Sequence, residues 1–172
     1  MTQYLVLTLI GEDRPGLVET LAQTVADHQG NWLESNMSHL AGKFAGILRV
    51  SVAAERSDAL ISDLERLSGD LRLLIEKVEA GEEDIAQPLL RLSLVGNDRP
   101  GIIREVSRAL AAQQVNVENL ETECSSAPMS GETLFHARAT LRAPAGLSLD
   151  ELQQGLEQIA DDLIVDIALN SD

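Results

Sequence analysis

Several residue types and patterns are scarce in this sequence, and each shortage excludes a class of protein. Cys124 is the only cysteine among 172 residues, so the chain cannot form an intrachain disulfide, a CxxC redox pair or a cysteine-based zinc site. The three histidines, His28, His39 and His136, show no metal-ligand spacing. No apolar run approaches the roughly 20 residues that a membrane-spanning helix requires. We therefore expect no metal, no other cofactor and no membrane span.

Basic residues are scarce as well. Thirteen Lys and Arg stand against 28 Asp and Glu, which gives a formal net charge of −15. Binding to a phosphate backbone depends on clustered cations, so we expect no direct contact with nucleic acid. The same charge disfavours anionic membranes but is compatible with a basic protein partner. The N-terminal residues enter a strand pattern without a basic leader or an export signal, which predicts a cytoplasmic protein.

The chain does contain an internal repeat. The segment GEDRPGL at residues 11–17 returns as GNDRPGI at residues 96–102, with five of the seven positions identical at an offset of 85 residues. The same offset aligns the apolar positions that follow, and it aligns Asn31 with Asn116. A shared motif, a shared apolar stripe and a shared asparagine indicate two copies of one module.

Each copy predicts the same succession of elements. Residues 4–10 and 89–95 are β-rich runs of strand length, and the apolar positions after each repeated motif follow the helical period. The remainder of each copy predicts two strands joined by a glycine hairpin, a second helix and a last strand. The order βαββαβ, found twice, predicts an α+β fold of two tandem ferredoxin-like domains, with antiparallel sheets and both helices on one face.

We predict a first domain at residues 1–80, a linker at 81–87 and a second domain at 88–172. The linker has the acidic, glycine-containing composition of an exposed boundary. A unit of this size with helices on one face leaves its other sheet face and its edge strands uncovered. We therefore expect the copies to pack on each other and the chain to form a homo-oligomer.

The turn between the first strand and the first helix is the candidate site. Asp13 is predicted to be the N-cap of the helix, and Pro15 to occupy its first turn. On that interpretation the motif is only a well-formed helix start. A helix N-terminus also offers free N–H groups to a ligand carboxylate, and Asp13 or Asp98 is positioned to hold an ammonium group. Both interpretations stay open.

Asn31 and Asn116 open the second strand of each copy. If the first and second strands bracket the helix, these residues lie on the edge next to the turn. Asparagine also tolerates left-handed backbone geometry and is common at helix ends, so a purely structural role is the alternative.

A strand, the motif G-x-D-R-P-G-[LI], a helix and an asparagine at the next strand resemble the ACT domain family over nearly the whole chain. In that family small effectors, often amino acids, bind between paired domains at the first strand-to-helix turn. The resemblance therefore implies four ligand-binding residues in each copy. They are Asp13, Gly16, Leu17 and Asn31 in the first copy, and Asp98, Gly101, Ile102 and Asn116 in the second.

A free-standing pair of such domains is similar to the glycine cleavage system transcriptional repressor group. This similarity implies a non-enzymatic amino-acid sensor, with glycine among the candidate effectors. It also implies transcriptional regulation through a protein partner such as a transcription activator. The alternative is a detached regulatory subunit that controls an amino-acid metabolic enzyme. A third hypothesis is a small hydrolase or transferase that uses Asp13 or Asp98, although the second copy takes up the residues where a catalytic domain would lie.

The two copies depart from each other in two respects. The middle hairpin of the second copy, Cys124 to Glu132, is longer by four residues, and its Ser, Pro and Gly content suggests a partner-binding loop. In addition, the Asn31-Trp32 pair is replaced by Asn116-Val117. The two predicted sites are therefore not expected to be equivalent.

Overall fold

The computed structural model describes residues 1–69, 71–79, 87–128 and 131–171. The chain divides into two compact units, Met1–Glu83 and Asp84–Asp172. Apart from Gln87, the predicted linker lies outside the described residues, and so does the tip of the long hairpin at residues 129–130. Among the described residues, no helix is both long and apolar enough to cross a bilayer.

The first unit contains four strands and two α-helices. In chain order they are β1 (Thr2–Glu12), α1 (Leu17–Asp27), β2 (Asn31–Leu40), β3 (Lys43–Ala53), α2 (Ala54–Arg66) and β4 (Leu71–Val78), with a 3₁₀ turn at Leu67–Gly69. The antiparallel sheet has the order β2-β3-β1-β4. The succession βαββαβ predicted from the sequence is thus confirmed.

The core of this unit forms because two hydrophobic periodicities meet. In β1 every second residue, Leu5, Leu7 and Leu9, is almost fully buried, as expected for a strand with one face against helices. In α1 the buried positions recur every four residues, from Leu17 through Leu21 to Val25. These strand and helix faces belong to one hydrophobic cluster.

The second unit repeats the arrangement. Its elements are β5 (Leu89–Asn97), α3 (Ile102–Ala112), β6 (Asn116–Ser126), β7 (Thr133–Arg142), α4 (Leu149–Leu163) and β8 (Val165–Ser171). The antiparallel sheet has the order β6-β7-β5-β8. Its core uses leucines at alternate positions of β5 and small alanines on β7, Ala137 and Ala139, beneath the helices.

The second middle hairpin is longer than the first, as the sequence predicted, but the predicted excess of four residues was wrong: Asn31 pairs with Ser51, 20 residues on, whereas Asn116 pairs with Arg142, 26 residues on. In the first unit Ala41 and Gly42 both have positive φ, 50° and 77°, which is the geometry of a tight two-residue hairpin. In the second unit the hairpin is longer, and the backbone N–H of Ala127 donates to the carbonyl of Glu132 at 2.7 Å. The base of the longer connection is therefore closed by a hydrogen bond.

Strands β5 and β8 approach each other closely at Gly96. It lies on the central strand β5, opposite Phe135 on one side and Val165 on the other. A Cβ atom on Gly96 would lie 2.3 Å from Cγ1 of Val165 and 3.0 Å from its Cα. A larger residue therefore has to displace the start of β8.

We predict that Gly96→Ala lowers the free energy of unfolding by about 1–3 kcal/mol, because overpacking forces strand or rotamer shifts. Urea denaturation monitored by circular dichroism measures the change. Gly155→Ala is the matched control: Gly155 lies in α4 with nothing within 4 Å of the added Cβ. That substitution should be neutral or stabilise by up to about 1 kcal/mol. Equal effects of the two variants would contradict the close-approach explanation.

Candidate functional site

The turn after β1 begins the helix with a glycine. Gly16 has φ 91° and ψ −2°, in the left-handed region, and Leu17 is the first residue of α1. The carbonyl of Gly16 accepts hydrogen bonds from the backbone N–H and the hydroxyl of Thr20, both at 2.9 Å. Because glycine has no side chain, it cannot cap the first-turn N–H groups, which remain for solvent or a ligand.

The prediction that Asp13 is the N-cap, with Pro15 in the first helical turn, is wrong. The left-handed glycine delays the start of the helix until Leu17. Asp13 instead joins the end of β1 to the hairpin, since its backbone N–H donates to the carbonyl of Gly42 at 3.0 Å. Its carboxylate Oδ2 lies 3.6 Å from Nε2 of His39, and both side chains are about half exposed. The carboxylate therefore faces β2 instead of the helix.

The second copy builds the same turn. Gly101 has φ 97° and precedes Ile102, the first residue of α3. The backbone N–H of Asp98 donates to the carbonyl of Thr133 at 2.8 Å. Leu17 and Ile102 are buried in their respective cores. Of the predicted residues in each turn, the aspartate and the glycine are thus accessible, whereas the apolar residue supports the helix.

Asn31 and Asn116 do not lie beside the turns of their own copies. Asn31 pairs with Ser51, which in turn pairs with Tyr4 near the start of β1. Gly11 lies seven residues further along β1, a distance of roughly 24 Å at the rise of an antiparallel strand. The expectation of a neighbouring edge was wrong, because β3 lies between β1 and β2 and because α1 carries the chain back along the sheet.

The left-handed residue after the first helix of each copy is also not the asparagine. Gln29 and Gln114 occupy it, each with φ 56°. Asn31 and Asn116 are the first residues of β2 and β6, where they extend the sheet. Any joint action of a turn and an asparagine therefore requires residues from two different modules.

Asn116 belongs to a small polar network in the second unit. Its Nδ2 donates to Oε1 of Glu118 at 2.7 Å, and Nε of Arg142 donates to the same oxygen at 3.1 Å. Hydrogen bonds from Arg142 and then from Asn116 hold the pKa of the Glu118 carboxyl below its ordinary value of 4.5. In the first unit, Leu33 occupies the position of Glu118 and Ser51 occupies the position of Arg142. The two asparagines thus have different surroundings.

A cleft lies at the end of the central strand in each unit. The first has a volume of about 290 Å³ and is lined by Ile10, Gly11, Glu12, Lys43, Gly69, Leu71 and Arg72. The second has a volume of about 430 Å³ and is lined by Val95, Gly96, Asn97, Leu134, Ala160, Asp161, Ile164, Val165 and Asp166. Two cations and one carboxylate line the first cleft, whereas two aspartates and no cation line the second. The equivalent clefts therefore differ in charge.

Sequence reasoning missed the charged residues of these clefts. Lys43 is hydrogen-bonded to Glu12 across the β1–β3 pair, and Arg72 lies opposite Ile10 on β4. Asp161 and Asp166 flank the junction of α4 and β8. The βαββαβ order could have located these residues, because in such a module the last strand pairs with the first. That pairing brings residues about 60–70 positions apart to one end of the sheet.

The histidines are dispersed over the structure. Nε2 of His28, at the end of α1, lies 2.8 Å from Oδ2 of Asp63 on α2. Nε2 of His136 lies 2.9 Å from Oγ of Ser125. In the part of the chain that the structure describes, no three His, Cys, Asp or Glu side chains are grouped so that they could hold a metal ion.

Known proteins resemble this chain at the levels of sequence and fold. Models of the ACT domain match residues 3–77 and residues 90–160. The glycine cleavage system transcriptional repressor of Escherichia coli (strain K12) is 23% identical over 169 residues, which are 97% of this chain and 89% of that protein. A crystal structure of an unknown protein from Galdieria sulphuraria has a TM-score of 0.89 at 29% identity, over 100% of this chain and 99% of that one. A structure provisionally identified as a glycine cleavage system transcriptional repressor has a TM-score of 0.75 at 21% identity, over 100% and 98% of the two chains.

We predict that Glu118→Gln lowers the free energy of unfolding by less than about 1 kcal/mol at pH 7, as expected for an ion pair at the protein surface that stays in contact with solvent. Because folding lowers the pKa of Glu118, its contribution is present above pH 4.5 and is lost as the pH falls through the folded-state pKa. The difference in free energy of unfolding between variant and wild type should therefore vanish below the folded-state pKa of Glu118. Urea denaturation at pH 7 and at a pH below that pKa measures this difference.

Glu121→Gln serves as the control for this measurement, because it removes a carboxylate from the same strand at a position opposite Arg138. It reports the effect of changing the net charge. A difference for Glu118→Gln that is as large in acid as at pH 7, or that is matched by Glu121→Gln, would contradict the prediction.

Proposed function

The chain belongs to the ACT domain family, as a tandem pair related to the glycine cleavage system transcriptional repressor, and on that premise we propose that it is a non-enzymatic regulator that senses an amino acid. The observation that carries the proposal is the turn that both copies build. Each turn begins its helix at a left-handed glycine, with an accessible aspartate three residues before it. Open N–H donors suit a carboxylate, and the aspartate suits an ammonium group.

We propose that the ligand residues are those of the turns, Asp13 with Gly16 and Asp98 with Gly101. Their buried neighbours, Leu17 and Ile102, form the floor on which the turns rest. Asn31 and Asn116 lie at the opposite end of their own sheets, so they contribute only where another module brings an asparagine to the turn. Such a requirement is consistent with our expectation that the chain acts as a homo-oligomer through pairing of its domains.

We infer that the two copies do not bind the same ligand equally, because the charges that line their clefts differ. Cations line the cleft beside the first turn, whereas Asp161 and Asp166 line the second. Like charges in a cleft oppose an approaching carboxylate. The first copy is therefore the better candidate for an effector with a carboxylate, and we propose glycine because the name of the Escherichia coli relative refers to the glycine cleavage system.

We further propose that the chain regulates transcription in the cytoplasm through a protein partner, such as a transcription activator. The name of the Escherichia coli relative supports a role in transcription. The net charge of −15 argues against direct binding to DNA, because a polyanion repels an acidic protein.

We predict that one or more amino acids raise the thermal stability of the purified chain. A ligand at a hundredfold excess over its Kd should add about 2.7 kcal/mol to the free energy of unfolding, because it binds the folded state alone. A thermal-shift screen of the twenty amino acids, followed by calorimetry on each hit, measures this. Asp13→Ala should abolish the response if the first copy senses, and Asp98→Ala should leave most of it.

Asp162→Ala is the control for these variants, because it removes an exposed carboxylate from α4. Binding should be retained in this variant. A flat response of the wild-type chain to every amino acid would refute the sensing proposal, and loss of binding in all three variants would show that the effect does not arise at the turns.

We predict that the purified chain does not retard duplex DNA in a gel, even at low ionic strength where electrostatic attraction is strongest. Addition of the partner activator together with the chain should give a complex whose mobility differs from that of the activator with DNA alone. Retardation by the chain alone that weakens as salt increases would overturn partner-mediated action in favour of direct binding.

A further inference from the structure

His39 lies beside the turn of the first copy, although it is far from that turn in the sequence. The register of the sheet places His39 of β2 opposite Phe44 of β3, and Phe44 opposite Gly11 of β1. Asp13 follows Gly11 by two residues, and its carboxylate Oδ2 lies 3.6 Å from Nε2 of His39. An imidazole on the edge strand therefore reaches a carboxylate of the proposed ligand site.

The distance between these two atoms makes the contact sensitive to protonation. At 3.6 Å it is longer than a normal hydrogen bond, yet it is within the range of an ion pair. A neutral imidazole therefore gains little from the carboxylate of Asp13, whereas an imidazolium attracts it. Histidine is the side chain that ordinarily changes its charge between pH 5 and pH 8. Lowering the pH over this range thus strengthens the attraction between His39 and Asp13.

Asp13 is the charged partner of His39. Among the described residues, no other carboxylate lies within 4 Å of the imidazole nitrogen atoms. Phe44, directly opposite on β3, is apolar. The other charged residues in the adjoining ends of β1 and β3, the turn and the first turn of α1 are Glu12, Arg14, Glu19 and Lys43. The protonation state of His39 is therefore transmitted first to Asp13.

The second copy has a cysteine at the equivalent place. Cys124 of β6 lies opposite Phe135 of β7, and Phe135 lies opposite Gly96 of β5, which is the register that places His39 in the first copy. Cys124 is exposed, as is His39. The sequence of β6 contains no Lys, Arg or His, so this edge strand cannot supply a cation to Asp98.

We propose that His39 is a positioning residue of the first site, which holds the carboxylate of Asp13 toward the sheet edge and makes its availability to a ligand depend on pH. The proposal rests on the proposed function, in which Asp13 binds the ammonium group of an amino acid. An imidazolium competes with that ammonium for the same carboxylate. The affinity of the first copy therefore falls as the pH is lowered through the range in which histidine titrates, and the second copy lacks this dependence.

The contact is tested first on the full chain without a ligand, by NMR. The ¹³C resonance of the Asp13 carboxyl should move between about pH 8 and about pH 6 in the wild type, because the neighbouring imidazole gains a charge. This change should be lost in His39→Gln. His28→Gln is the matched control, because His28 lies at the other end of α1, 2.8 Å from Asp63, and its replacement should leave the change at Asp13 intact.

Circular dichroism verifies that both variants fold. A resonance of Asp13 that stays constant in the wild type, or one that moves equally in His39→Gln, overturns the proposal.

Calorimetry with glycine then tests the effect on binding, since free glycine keeps both of its charges over this pH range. We expect the affinity of the wild type to fall about two- to fivefold from about pH 8 to about pH 6, the size expected for an exposed ion pair. His39→Gln should bind equally at both pH values, and His39→Lys, which keeps its positive charge, should bind weakly at both. An affinity that rises as the pH falls overturns the proposal in favour of a His39 that binds the ligand carboxylate.

An exchange of residues between the copies separates this proposal from the sensing proposal. Cys124→His should make the carboxyl resonance of Asp98 move between the same two pH values, and His39→Cys should remove the change at Asp13. Both readouts work without a ligand, so a chain that binds no glycine contradicts the proposed effector while the resonances still decide the role of His39. A resonance of Asp98 that Cys124→His leaves constant overturns the assignment of this position as the source of the difference between the copies.

Discussion

The central strand of each sheet, β1 or β5, is the constraint on which the remaining structure depends. Each is hydrogen-bonded along both edges, to β3 and β4 or to β7 and β8, and buries alternate leucines under two helices. The strand leads directly into the turn that begins the first helix. The position of the turn, and of the cleft beside it, is therefore set by the most buried element of the module, which favours a preorganised site.

The two modules share a backbone but differ in the chemistry of their surfaces. The left-handed glycine, the first helical residue and the strand register recur in both units. The cleft charges and the surroundings of Asn31 and Asn116 do not. This division has a physical reason. Residues under the helices are constrained by packing, whereas residues at strand ends and on the open face of the sheet are exposed to solvent and tolerate substitution. Duplicated modules can thus keep one fold and acquire separate roles.

The structure departs from the sequence-based expectation in two spatial details of the candidate site. Asp13 is a good capping residue by type, yet the helix begins only after Gly16, because the glycine adopts a backbone conformation that other residues disfavour. Asn31 follows the helix closely in sequence but lies at the far end of the sheet. Residue propensity and distance along the sequence give the approximate limits of an element. They do not give the order of the strands in the sheet.

The sequence by itself determined the duplication, the βαββαβ order, the faces of the strands and helices and the identity of the glycine turns, because these follow from local periodicity and backbone preference. Only the tertiary structure decided that β3 separates β1 from β2, and that Lys43 and Arg72 meet at one cleft while Asp161 and Asp166 meet at the other. Those features depend on pairing between segments distant in the chain, whose energies arise only when the whole sheet has formed.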